Sequence, residues 1–300
     1  MVMERVQVLM STYNGEKFLH QQIESILRQD GVDVVLTVRD DGSSDKTCAI
    51  LDEYQAQGLL SWYSGENLGP ARSFMQLLRD AEPADFYAFS DQDDFWKPEK
   101  LSTAVAALQK HSGKPVLYFC QTCLTDEHLQ PLLHQIPINP LLTYGESLVY
   151  QFVGGCTMVI NKELRDIVNS FIPDVLYMHD VWIYCVCLAV GGVVEFDSKS
   201  HILYRQHSNN TIGQGSSKTE WKRRMKRLIN LEQARYKTAR QLLQGYSAKM
   251  PKENLVLTTD FVRAKKNLIL RLKLLFDSRL ATSNPVTSKT FRIALFLGTY

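Results

Sequence analysis

The chain has 300 residues, 45% of them hydrophobic and 22% charged, with a formal net charge of +2. Those proportions suit a soluble globular protein and exclude a disordered, collagenous or coiled-coil chain; the near-neutral balance argues against a strongly basic nucleic-acid binder. No uninterrupted apolar run approaches the roughly 18 residues needed to cross a bilayer, and the best candidate, Tyr184 to Val194, is broken by Gly191 and Gly192.

Val6, Val8 and Met10 alternate with polar or small residues and predict a first strand. The stretch carries no signal-peptide cleavage pattern, so the expected location is cytoplasmic or on the cytoplasmic membrane face. Leu19, Ile23, Ile26 and Leu27 fall on one helical face, and Val34 to Val38 is a β-branched run long enough for a buried strand. That run stops at the turn cluster Arg39-Asp40-Asp41-Gly42-Ser43-Ser44-Asp45. A helix around Ile50, Leu51 and Tyr54, a strand at Leu60 to Tyr63 and a loop at Gly65 to Pro70 follow, with Pro70 suited to a first helical turn. Phe74, Leu77 and Leu78 continue that helix; Phe86 to Phe89 is an aromatic strand ending at Ser90-Asp91-Gln92-Asp93-Asp94; Pro98 opens a helix holding Leu101, Val105 and Leu108. Repeated β-α units imply a mainly parallel sheet covered on both faces, with ligands bound at the carboxyl ends of its strands.

The second half is less regular. Residues 125–150 are expected as loop, Phe152 to Ile160 as a strand entered through Gly154-Gly155, Val181 to Val190 as helix, and the chain from Thr219 to about residue 280 as helical and basic. The six cysteines are expected as free thiols; the lone Cys120-Gln-Thr-Cys123 lacks the second pair that a zinc site needs.

Walker-type, dinucleotide, zinc-protease and nucleophile-elbow motifs are all missing from the sequence. Carboxylates remain. Asp91, Asp93 and Asp94 sit together at a strand end, where hard oxygen ligands suit Mg²⁺ or Mn²⁺. Alone, the cluster also reads as a solvated acidic turn capping the next helix. Asp40-Asp41-Gly42-Ser43 is either an ordinary turn or a place where a carboxylate accepts the imide N–H of a pyrimidine. Asp180 is a helix N-cap or a general base. Arg205 and His207, two apart on an extended segment, are expected to point to the same side, as a diphosphate contact and a metal ligand.

Taken in order, Ser11-Thr12-Tyr13-Asn14, Asp40-Asp41-Gly42-Ser43, Asn67-Leu68-Gly69, Ser90-Asp91-Gln92-Asp93-Asp94, Gly154-Gly155, His179-Asp180 and Arg205-Gln206-His207 resemble the family 2 glycosyltransferases, more narrowly their bacterial rhamnosyltransferase branch. The resemblance covers roughly residues 4–212. It implies an α/β GT-A fold, Rossmann-like, with a catalytic domain over 1–215 (nucleotide-sugar half about 1–120, acceptor half about 121–215); residues 216–300 carry no family motif and are expected from their own pattern as a helical, basic region. It implies that Thr12 and Tyr13 line the nucleotide pocket, Asp41 reads the pyrimidine, Asp91 contacts the donor, Asp93 and His207 hold Mn²⁺ or Mg²⁺, Arg205 contacts the diphosphate and Asp180 is the base. The implied activity is inverting transfer of a sugar, L-rhamnose from dTDP-L-rhamnose, to a glycan or lipid-linked glycan acceptor. A UDP-hexose donor and a catalytically silent nucleotide-sugar-binding scaffold are the rivals. His179 departs from the family, where many members carry Glu, and leaves the electrostatics around Asp180 open.

Beyond the resemblance, Trp221, Met225, Leu228 and Ile229 share a face of a basic amphipathic stretch over 218–229, and Lys265, Lys266, Arg271 and Lys273 mark a second basic helix. These predict peripheral membrane contact or an ordinary surface helix packed on the catalytic domain. The apolar end of the chain, Phe291 to Tyr300, is expected to dock on the protein itself, a partner or a membrane.

Overall fold

A computed structural model describes residues 3–150, 152–207 and 234–300. Strands β1 (Arg5–Thr12), β2 (Asp33–Asp40), β3 (Ser61–Ser64) and β4 (Phe86–Ser90) alternate with helices α1 (Leu19–Leu27), α2 (Thr47–Ala56) and α3 (Pro70–Asp80). Next come β5 (Phe95–Trp96), α4 (Lys100–Leu108), β6 (Val116–Thr125), α5 (Tyr144–Val149), β7 (Val159–Asn161), α6 (Lys162–Asn169), α7 (His179–Ala189) and β8 (Val193–Arg205). Helix α8 covers 234–246, followed by α9 (Lys252–Ala264), α10 (Leu268–Leu275) and α11 (Pro285–Leu297).

The strands form one sheet in the order β3-β2-β1-β4-β7-β6-β8-β5. The β1–β2, β1–β4, β2–β3 and β6–β8 pairs are parallel; β7 runs antiparallel to β4 and β6, and β5 antiparallel to β8. One apolar core lies under α1, α2 and α4; the other joins α3 and α5–α7 to the C-terminal helices. Phe291, Leu295 and Tyr300 are buried in that second core, so the end of the chain docks on the protein itself. Central β1 is buried along nearly its whole length, Gln7 included, because helices cover both of its faces.

Several elements differ from the sequence expectation. In place of a strand over Phe152 to Ile160 there is a 3-10 turn at Gly155–Thr157, leaving only Val159–Asn161 to pair. Thr157 Oγ1 donates to the Gly154 carbonyl at 2.7 Å and holds that turn. The expected loop at 125–150 contains α5, whose Thr143 side chain accepts the Glu146 N–H. Strands β6 and β8 and helix α6 were not foreseen, and the helical region runs to Leu297. The amphipathic stretch at 218–229 and the expected domain boundary at 215–216 lie outside the described residues. Among the described residues, no helix is long and apolar enough to cross a membrane.

Candidate active site

Register brings three strand ends to one edge. Thr12 pairs with Asp40, and Met10 with Ser90, so the loops after β1, β2 and β4 lie side by side where the strand order reverses. Such a switch point opens a crevice for ligands. Asp40 is spent on the loop itself: its carboxylate accepts the Gly42 and Ser43 N–H groups at 3.0 and 2.8 Å and the Thr12 hydroxyl at 3.0 Å. Asp41 is oriented by an ion pair with Arg39 and by the Ser73 hydroxyl, which donates to it. It lies on the wall of a cavity of about 240 Å³ that Thr12, Tyr13, Asn67, Gly69 and Asp91 also line.

Gln92 locks two of these loops together. Its Oε1 accepts the Tyr13 N–H at 2.9 Å and its Nε2 donates to the Tyr13 carbonyl at 3.1 Å. Gly15 permits this approach, since a Cβ there would stand 2.3 Å from Gln92 Oε1. Tyr13, Gln92 and Asp93 are shared with a second cavity of about 700 Å³, lined also by Lys17, Phe18, Asp126, Glu127 and His207.

At that junction His207 Nε2 lies 2.8 Å from Asp93 Oδ2, across 114 residues of sequence. A carboxylate oxygen beside an imidazole nitrogen is a donor set that Mn²⁺ or Mg²⁺ accepts, so these residues fit a divalent cation. Asp91, Asp94 and Cys156 form a second group, with potential ligand atoms within 4.8 Å of one another. Burial and the Asp94 and Asp91 charges push the Cys156 thiol well above its ordinary range. A protonated thiol is a poor partner for a hard cation, which favours Asp93 and His207 as the seat. Burial, then the charges of Asp93 and Asp180, push Asp91 up to about 7. Burial, then the charges of Asp93 and Asp91, raise Asp94 well above the usual carboxylate range.

Arg205 does not reach into either cavity. It is buried, with Nε donating to the Asp93 carbonyl at 2.7 Å, Nη2 to Gln21 Oε1 at 2.9 Å and Nη1 to the Glu127 carbonyl. Its own N–H donates to Asp94 Oδ1 at 3.2 Å. The guanidinium expected at the diphosphate is thus turned onto the Asp93 and Glu127 carbonyls and Gln21, where it braces the Asp93 loop. Alternation of side chains holds within a strand, and β8 ends at Arg205, so Arg205 and His207 need not share a side.

Asp180 stands in the first turn of α7, with Oδ1 accepting the Val181 N–H at 2.7 Å and Oδ2 the Gly155 N–H at 2.9 Å. Burial pushes its carboxyl up to about 6, against the pull of those N–H groups. His179 beside it packs against Phe74 and Phe89, at ring-centroid distances of 4.1 and 5.2 Å, and those two rings also touch each other edge-on at 6.1 Å. Burial drives the imidazole down to about 3, so it is neutral and adds no charge at Asp180.

Lys100 escaped the sequence reading. It is fully buried with Nζ 3.4 Å from the Trp96 ring centroid, and burial lowers it to about 8, leaving it mainly protonated near pH 7. The signal was its place on the apolar stripe Lys100, Leu101, Ala104, Val105, Leu108, where a lysine needs a reason.

Residues 7–167 match the profile described as Glycosyl transferase family 2. The chain is 30% identical over 237 residues to the dTDP-rhamnosyl transferase RfbG of Shigella flexneri, covering 71% of this chain and 77% of that protein. The fold resembles S. aureus TarS 1–349 solved with UDP-GlcNAc, at TM-score 0.55 and 16% identity over 99% of this chain and 93% of the other. It also resembles the mannosyltransferase PcManGT from Pyrobaculum calidifontis solved with GDP-Man and Mn²⁺, at TM-score 0.55 and 16% identity over 100% and 86%. The architecture is therefore the GT-A fold, with helices in the C-terminal region.

Proposed function

The chain belongs to glycosyl transferase family 2, and from that premise we propose that it is an inverting, metal-dependent transferase that moves L-rhamnose from dTDP-L-rhamnose onto a hydroxyl of a surface polysaccharide or its lipid-linked precursor. The observation that carries the reading is the meeting of Asp93 and His207 at the junction of the two cavities. The rhamnosyl relative supports the choice of donor.

In this reading the nucleotide occupies the smaller cavity, with Asp41 facing the pyrimidine edge, Thr12 and Tyr13 lining the base and ribose, and Asp91 at the donor sugar. Asp93 and His207 hold the divalent cation, which when bound offsets negative charge on the departing diphosphate. Arg205 keeps Asp93 in place from behind. An acceptor hydroxyl is a poor nucleophile near neutral pH, and Asp180, ionised above about pH 6, takes its proton as the new bond forms. Single displacement inverts the anomeric centre, so a β-linked donor gives an α-L-rhamnoside.

The test is thermal unfolding with dTDP-L-rhamnose, UDP-glucose, UDP-galactose or GDP-mannose, each with and without Mn²⁺. A ligand at a hundred times its Kd adds about 2.7 kcal/mol. The expected result is a Mn²⁺-dependent rise in Tm with dTDP-L-rhamnose alone, lost in Asp93→Asn. A rise with a UDP-sugar instead overturns the rhamnose assignment; a rise indifferent to Mn²⁺ overturns the metal seat.

A further inference from the structure

Helices α10 and α11 turn an apolar face to solvent. Leu268, Ile269, Leu272 and Phe276 recur at helical spacing along one side of α10 and its C-terminal end, with Ile269 78% and Phe276 84% exposed. On α11, Phe291, Ala294 and Leu295 point into the core while Ile293, Phe296 and Leu297 face out. The two helices adjoin: Arg271 Nη1 donates to the Phe296 carbonyl at 3.1 Å. Scattered surface leucines are normal in soluble proteins, but a stripe on each of two adjoining helices is a contiguous patch of the kind that marks an interaction site.

Charge says what covers it. From Phe261 to Tyr300 the chain has eight Lys and Arg and a single acid, Asp277, which is paired with Arg279. Lys289 lies four residues from Ile293, and Lys273, four residues from Ile269 on the other stripe, is ion-paired with Asp260 at 2.8 Å. Lys266, Lys289 and Arg292 are exposed and have no ion pair among the described residues. A second copy of this chain would bring one cationic rim against another, which like-charge repulsion opposes. An apolar stripe interleaved with cations matches a bilayer bearing anionic headgroups: the side chains enter the acyl boundary while the lysines and arginines meet the phosphates.

We propose that the α10–α11 face docks this protein on an anionic lipid membrane. The inference rests on surface chemistry away from Asp93, His207 and Asp180 and does not depend on which sugar is transferred.

The experiment is co-sedimentation of the full chain with vesicles of phosphatidylcholine alone or mixed equally with phosphatidylglycerol, for the wild type and an Ile269→Ser/Phe276→Ser variant. Basic residues elsewhere in the chain can also bind vesicles, so the comparison between proteins isolates this face. The expected result is binding to the mixed vesicles, weakened in the variant by roughly tenfold or more, with Tm and nucleotide binding unchanged because both side chains are exposed. Equal binding by the two proteins, or no binding by either, overturns the proposal. So does a dimer of the wild type that becomes a monomer in the variant, which would assign the face to a second copy. A fall in the variant's Tm would show the face to be covered by the chain itself, and overturns it too.

Discussion

Two adjacent glycines offer a controlled test of how Asp180 is held. Neither needs a positive φ, so alanine is acceptable to the backbone at both. At Gly154 an added Cβ would meet only Thr157 Cγ2, at 4.0 Å, an ordinary contact. At Gly155 it would stand 2.4 Å from His179 Nε2, 2.8 Å from Cε1 and 3.5 Å from Asp180 Oδ2. Reaching normal contact requires a shift of about 1 Å, and the imidazole is buried against Phe74 and Phe89, so its retreat disturbs their packing. Overpacking of this size costs about 1–3 kcal/mol. Because the Gly155 N–H anchors Asp180 Oδ2, the displacement carries to the carboxylate, and a 1 Å misplacement costs roughly 100-fold in rate. Gly155→Ala is therefore expected to lower Tm by several degrees and kcat by roughly two orders of magnitude, with donor KM little changed. Gly154→Ala is expected to keep wild-type Tm or gain slightly from the stiffer unfolded chain. Urea unfolding and steady-state transfer assays on both variants decide the matter. Gly155→Ala with wild-type Tm and kcat, or equal losses at both positions, would refute the argument that the Gly155–His179 contact positions the base.

Asp180→Asn keeps shape but removes the base, so kcat is expected to fall about 10²–10⁴-fold while donor binding by calorimetry stays as in the wild type. In the wild type, kcat is expected to drop about tenfold per pH unit below about 6, as Asp180 becomes protonated and loses its capacity to accept a proton; survival of that acidic limb in Asp180→Asn would assign it to another group. Arg205→Lys leaves the Asp93 and Glu127 carbonyls without their guanidinium donors, a loss of about 1–3 kcal/mol for each buried group, and is expected to weaken Mn²⁺-dependent nucleotide binding but not binding without metal; equal weakening of both would restore the diphosphate role.

The alternation of strands and helices from Arg5 to Leu108 was legible because each element there has a clean hydrophobic period and ends in turn chemistry. The strand ends at Asp40 and Ser90 were legible for the same reason. Beyond that the signals weaken. Helix α5 hides in a proline-rich stretch, although Thr143-x-x-Glu146 is a capping box that could have been read. Strand β8 carries Glu195, Asp197, Lys199 and His201, polar residues that mask its period. His201, buried between Glu99 at 3.1 Å and Asp197 at 3.0 Å, pins this strand beside α4 through contacts that no local pattern announces. The meeting of Asp93 with His207 came from motif order alone, since nothing in a spacing of 114 residues fixes it. The inward turn of Arg205 was illegible because it depends on where β8 stops.

The position before Asp180 shows how burial, more than formal charge, sets the ionisation of this site. A glutamate at 179 would add a carboxylate beside Asp180, and two such groups cannot both ionise cheaply out of water. The histidine here avoids that competition without adding a cation, because burial keeps the ring neutral. Burial raises Asp180, and the Val181 and Gly155 N–H groups and its own lower it. The same division recurs under the acidic motif. Asp94 is buried and accepts the Arg205 N–H, Asp40 is consumed by its own loop, and Asp93 is left at the cavity junction beside His207. Carboxylates adjacent in sequence thus separate into structural and ligand-facing roles through which groups the fold gives each one to bond, and a count of acids in the motif cannot assign those roles.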